Sequence, residues 1–66
     1  MTSVENEKLY FEVKLIRESE RAILVEHKRE EVWLPKSQVE WKEDAAIGEE
    51  FEVLVPVWLA RQNGMI

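Results

Sequence analysis

Sixty-six residues leave room for one small domain, and the absence of cysteine removes disulfides, thiolate nucleophiles and cysteine-held metals. Fourteen Asp and Glu against nine Lys and Arg set a formal net charge of −5, the wrong sign for a chain that binds phosphate through its overall field. No apolar run approaches the roughly 18 residues of a membrane span; Glu5 and Glu7 stand where a signal peptide is basic and then apolar, so a cytoplasmic protein with no membrane partner is expected.

Residues 1–6 read as a disordered lead-in and residues 7–66 as a single small β domain. LYFEVKLIR, 9–17, alternates: Leu9, Phe11, Val13 and Leu15 fall on one face, Tyr10, Glu12, Lys14 and Ile16 on the other, as in a half-buried strand. ESE, 18–20, is a polar break. RAILVEH, 21–27, is a continuous β-branched run, a strand partly covered on both faces. EEVWLP, 30–35, is a third strand, stopped by Pro35, which has no N–H to give a ladder.

A two-residue turn at Lys28-Arg29 pairs Val25 with Val32 and Ile23 with Leu34 on one face, and Leu24 with Trp33 on the other. Apolar then meets apolar on both sides, which selects that register. Lys-Arg suits such a turn poorly, because both central residues need positive φ and Asn-Gly or Asp-Gly adopt it more readily. A four-residue loop over 27–30 keeps the same pairing.

KSQ, 36–38, fits one 3₁₀ turn. Val39 and Trp41 share a face of a short strand, and 42–50 is irregular, with Gly48 as a turn residue. FEVLV, 51–55, alternates with Phe51, Val53 and Val55 inward. Pro56 opens a helix of about two turns reaching Asn63; Arg61 sits near its C-terminal end, Gly64 supplies a left-handed stop and Met65 packs back.

The string VWLPKSQ at 32–38, followed by Pro56-x-Trp58-Leu59-Ala60 and by Asn63-Gly64, resembles a short domain of phage, prophage and bacterial accessory proteins. The likeness covers 21–41 and 56–66 and implies an accessory role with no assigned chemistry. The chain departs from that pattern at Lys28-Arg29, where a glycine-containing turn is usual. Leu34-Pro35, Ser37 and Val39 also echo, distantly, the end of SH3 domains, although the aromatic peptide groove of that fold has no counterpart here. The expected fold is therefore mainly β: a small antiparallel curled sheet or SH3-like barrel of four to five strands with a short C-terminal helix.

Catalysis has little to stand on. His27 reads as a surface residue at a hairpin edge, and Ser37 as a turn hydroxyl with no base beside it. Glu40, Glu43, Asp44, Glu49 and Glu50 lack the order of a calcium loop and read as a solvated acidic stretch. No enzyme activity, metal or cofactor is expected. Of three tryptophans, Trp41 and Trp58 serve a core that needs large aromatics, while Trp33 points away from Val32 and Leu34, where only the C-terminal helix or another molecule can cover it.

The expected function is a non-enzymatic acidic module acting by protein–protein interaction or self-association. Trp33, Leu24 and Trp58, with Lys36 beside them, form its candidate partner-binding surface. Two alternatives use other features: a single-strand binder built on Trp33 with Lys28, Arg29 and Lys36, or an acidic mimic occupying a partner's nucleic-acid site. Net acidity argues against nucleic acid as a partner, with no measurable binding of a short strand at physiological salt.

Overall fold

The computed structural model describes residues 7–66; the expected lead-in over 1–6 lies outside the described residues. Strand β1 (Lys8–Glu18) is followed by β2 (Ala22–His27), β3 (Glu30–Pro35), a 3₁₀ turn (Lys36–Gln38), β4 (Glu50–Pro56) and helix α1 (Val57–Gln62). The four strands form one antiparallel sheet in the order β3-β2-β1-β4.

At 11 residues, β1 is long enough to serve two staggered partners. Lys8 to Lys14 pair with β4, and Lys14 to Glu18 with β2. The stagger adds to the natural twist of the strands and coils the sheet. How far it coils is shown by Glu40, which exchanges backbone N–H···O bonds of 3.0 and 2.8 Å with Leu54, on the free edge of β4. In a flat sheet Glu40 would have to cross four strand spacings from β3, about 19 Å at ~4.8 Å each. The steps from Pro35 span only about 13 Å, since the 3₁₀ turn rises ~2 Å per residue. The sheet must therefore curl. One bridge does not close the seam, and the architecture is a curled, unclosed antiparallel sheet with a short C-terminal helix. The strand expected at 39–41 shrinks to that bridge, because the turn before it and the loop after it leave only Glu40 alongside β4.

Alternate residues of every strand fill the concave side. Leu15, Ile23, Val25, Leu34, Val53 and Val55 are fully buried there. The hairpin register is the expected one, with Ile23 opposite Leu34, Leu24 opposite Trp33 and Val25 opposite Val32. Lys28 (φ 50°) and Arg29 (φ 70°) make the two-residue turn in spite of their side chains.

The helix ends as its glycine dictates: the Gly64 N–H donates to Arg61 O at 3.2 Å and the Met65 N–H to Ala60 O at 2.8 Å, with Gly64 at φ 73°. Leu59, Ala60 and Met65 join the concave-side core. Among the described residues no helix is long and apolar enough to cross a membrane.

Candidate functional site

The outward face of the sheet carries the feature that strand alternation alone misplaces. Between Leu15 and Arg17 the β1–β2 register shifts, so that Arg17, not Ile16, lies opposite Leu24. Such a bulge re-aims the side chains that follow it. Leu24 in turn pairs with Trp33, and one cross-strand row reads Arg17, Leu24, Trp33. Leu24 is buried at 9 % exposure, whereas Trp33 is 48 % exposed, and neither belongs to the main core cluster. Ile16 and Ala22 are half-buried alongside. The buried residues of the helix pack into the concave-side core, and the Trp33 indole keeps about half its surface open.

The other singled-out residues scatter. Lys36 turns to Glu18, with Nζ 2.6 Å from the carboxylate, and sits 5.6 Å from the centroid of the Trp41 ring. Lys28 and Arg29 occupy the far end of the hairpin, about 13 Å from the Leu24–Trp33 pair at ~3.3 Å per residue. Trp41 packs against the core beside Phe51, as expected, but Trp58 is 39 % exposed and outside it. On a helix whose buried positions are Val57, Leu59 and Ala60, Trp58 falls on the opposite side. His27 is half-buried rather than a surface residue: its ring meets Phe11 edge-on at 5.2 Å, and Nδ1 lies 3.4 Å from the Glu12 carbonyl.

Charge is divided along the outward face. The row next to Trp33 reads Glu31, Glu26, Lys14, Glu50 across the four strands, and the one after it pairs Glu12 with Glu52. This acidic middle borders a groove of about 470 Å³. Among the described residues, ion pairs occupy Lys8 (with Glu40), Lys36 (with Glu18) and Lys42 (with Glu49). Among these described residues Lys14, Arg17, Arg21, Lys28 and Arg29 have none, and Arg17 stands on the Leu24–Trp33 row. Hydrogen bonds from the Lys42 ammonium and the Ala46 N–H hold the Glu49 carboxyl below its ordinary value, and Glu49 raises Lys42. That pair braces the 42–49 loop. No cluster of three or more His, Cys, Asp or Glu capable of holding a metal occurs among the described residues.

Compared with known proteins, residues 10–55, from β1 to the last residues of β4, match the family model described as the S1 domain. No curated protein and no solved structure matches the chain. S1 domains typically bind nucleic acid, and this corrects the expectation, drawn from net acidity, that nucleic acid is an unlikely partner. The physical error lay in the net charge. A sum of −5 over the chain does not describe the outward face row by row: Glu31, Glu26, Glu50, Glu12 and Glu52 occupy the rows beyond Trp33, whereas its own row carries Arg17.

Proposed function

The chain belongs to the S1-domain family, and from that premise we propose that it is a single-strand nucleic-acid-binding module whose contact surface is the Arg17–Leu24–Trp33 row. The observation that carries the proposal is the half-exposed indole of Trp33, on one cross-strand row with the exposed Arg17 two strands away. An indole offers a face on which any base stacks. A guanidinium meets a phosphate with paired donors or stacks in its own right. Leu24 closes the floor between them and excludes water from one side of the contact. The module acts by binding, with no bond made or broken. The acidic middle confines the strand to this end of the sheet and keeps the affinity modest.

Titration of the intrinsic tryptophan fluorescence with a single-stranded oligonucleotide tests this. Quenching at micromolar concentration is expected. With one phosphate neutralised by Arg17, log K should fall against log salt with a slope of about −0.7. Trp33→Ala should weaken binding roughly tenfold, within the range measured for one stacked base. Absence of quenching at low salt rejects the reading. Loss of self-association in Trp33→Ala, with no oligonucleotide bound by the parent chain, places a protein on this face instead.

A further inference from the structure

A second feature of the surface is used by nothing described so far. A groove of about 260 Å³ runs between the 3₁₀ turn and the start of α1, with Trp58 and Pro56 on one side, Ser37 and Gln38 on the other, and Lys8 and Glu40 at its rim. Three of these residues, Lys8, Pro56 and Trp58, lie outside the span 10–55 that matches the S1 domain, so this chain's own flanks complete the groove. It exists because the sheet curls: the Glu40–Leu54 bridge draws the segment after β3 against β4 and leaves the 3₁₀ turn facing the helix. Trp33 lies in β3, just before the 3₁₀ turn, and Trp58 in the first turn of α1, just after β4.

We propose that this groove is a second subsite for the same single strand, taking one nucleobase that carries an exocyclic amine, stacked on Trp58. The inference rests on the nucleic-acid reading of the Trp33 face and adds to it a place where the strand continues. Size comes first: the volume is below the roughly 300–1,000 Å³ of sites that enclose a drug-sized ligand, which suits a single planar ring. Chemistry comes second. Trp58 is 39 % exposed, so a π-face is available. The Gln38 amide and the Glu40 carboxylate supply acceptors of the kind that pair with the amines of adenine and cytosine. An apolar side chain from a protein would displace water from the Gln38 amide and the Ser37 hydroxyl without replacing its hydrogen bonds.

Lys8 completes the subsite. Its Nζ lies 3.2 Å from Glu40 Oε2 in an ion pair that is exposed on both sides, 44 % and 68 %. Exposed pairs hold weakly, and the ammonium is placed to exchange that carboxylate for a phosphate oxygen. Glu40 is then released toward the base edge. The proposal accounts for two exposed tryptophans on a small chain: each marks one end of the strand's path across the seam.

The test is a ¹⁵N-resolved NMR titration of the whole chain with an oligo(dC) of about eight nucleotides, a length within the range bound by single small-barrel domains. The Trp58 indole N–H, identified by its loss in Trp58→Phe, and the Gln38 side-chain amide are followed together with the Trp33 indole. All three should shift, and Trp58→Ala should weaken binding about tenfold with its melting curve little changed. Shifts at Trp33 but not at Trp58 and Gln38 overturn the second subsite while leaving the nucleic-acid function standing. No shift at any of the three overturns both. If Trp58→Ala proves poorly folded, Gln38→Ala, at an exposed position, gives the affinity measurement: an unchanged value overturns the subsite.

Discussion

Lys28 and Arg29 hold left-handed backbone at φ 50° and 70° with full side chains attached. That conformation costs a non-glycine residue about 1–2 kcal/mol, and the hairpin tolerates it because Val25, Leu24 and Ile23 all find apolar partners across the turn. Glycine at Arg29 removes the strain but loses roughly 0.5–1 kcal/mol through the freedom it gives the unfolded chain. Arg29→Gly should therefore stabilise the protein by about 0.5–1 kcal/mol in urea unfolding; a destabilised variant would show that the arginine makes an interaction the turn geometry does not reveal. Glu49 acts through charge instead. Its carboxyl is held low by Lys42 and the Ala46 N–H, so its contribution is present above the unfolded carboxylate value and lost as pH falls through the folded one. Glu49→Gln should lower the melting temperature slightly at neutral pH, with the difference from the parent chain closing as pH is lowered through the carboxylate range.

At the scale of the sheet, position relative to the curl decides what each strand residue does. Trp33→Ala in a covered site would cost 3 kcal/mol or more, but with the indole 48 % exposed and outside the main cluster the loss should be about 1 kcal/mol. Comparing its chemical unfolding with that of the parent chain measures this directly. The acidic row beside it has the opposite relation to binding. Glu31 lies two residues from Trp33 on the same strand, about 7 Å away at ~3.3 Å per residue, which is inside the ~8 Å screening length at physiological salt. Like charges at that range in water repel by roughly 0.5 kcal/mol before screening. Glu26→Gln with Glu31→Gln should raise oligonucleotide affinity about two- to threefold at physiological salt. Equal affinities would mean that the strand lies farther from the acidic row than the Arg17–Trp33 row implies.

For the molecule as a whole, one concave-side core carries the stability. Leu15 is fully buried and also accepts the Gly48 N–H at 2.6 Å while donating to Glu49 O at 2.9 Å, so it joins the core, the bulge and the loop braced by Lys42. Leu15→Ala should cost about 2–5 kcal/mol, comparable to all that a core of this size supplies, roughly 3–5 kcal/mol. The variant should be largely unfolded at 25 °C, read as loss of near-ultraviolet circular dichroism and a red-shifted tryptophan emission. A cooperative melt close to that of the parent chain would locate the stability elsewhere.

The sequence by itself determined the strands, the hairpin register and the helix end. Period-two alternation in 9–15 and 51–55, the paired apolar faces of 22–34 and the Asn63-Gly64-Met65 stop are set by residues close together in the chain, so their physics can be read locally. Tertiary structure alone decided the rest. Nothing in KLIRESE marks the bulge that turns Arg17 to the outward face; it comes from β1 pairing with β4 along one half and with β2 along the other. The curl that carries Glu40 to Leu54 sets Lys36 against Glu18 and leaves Trp58 outside the core, relations between residues far apart in sequence. Net charge misled for the same reason: a sum over the chain is blind to position, and only the folded sheet separates an acidic middle from the end where Arg17 and Trp33 stand on one row.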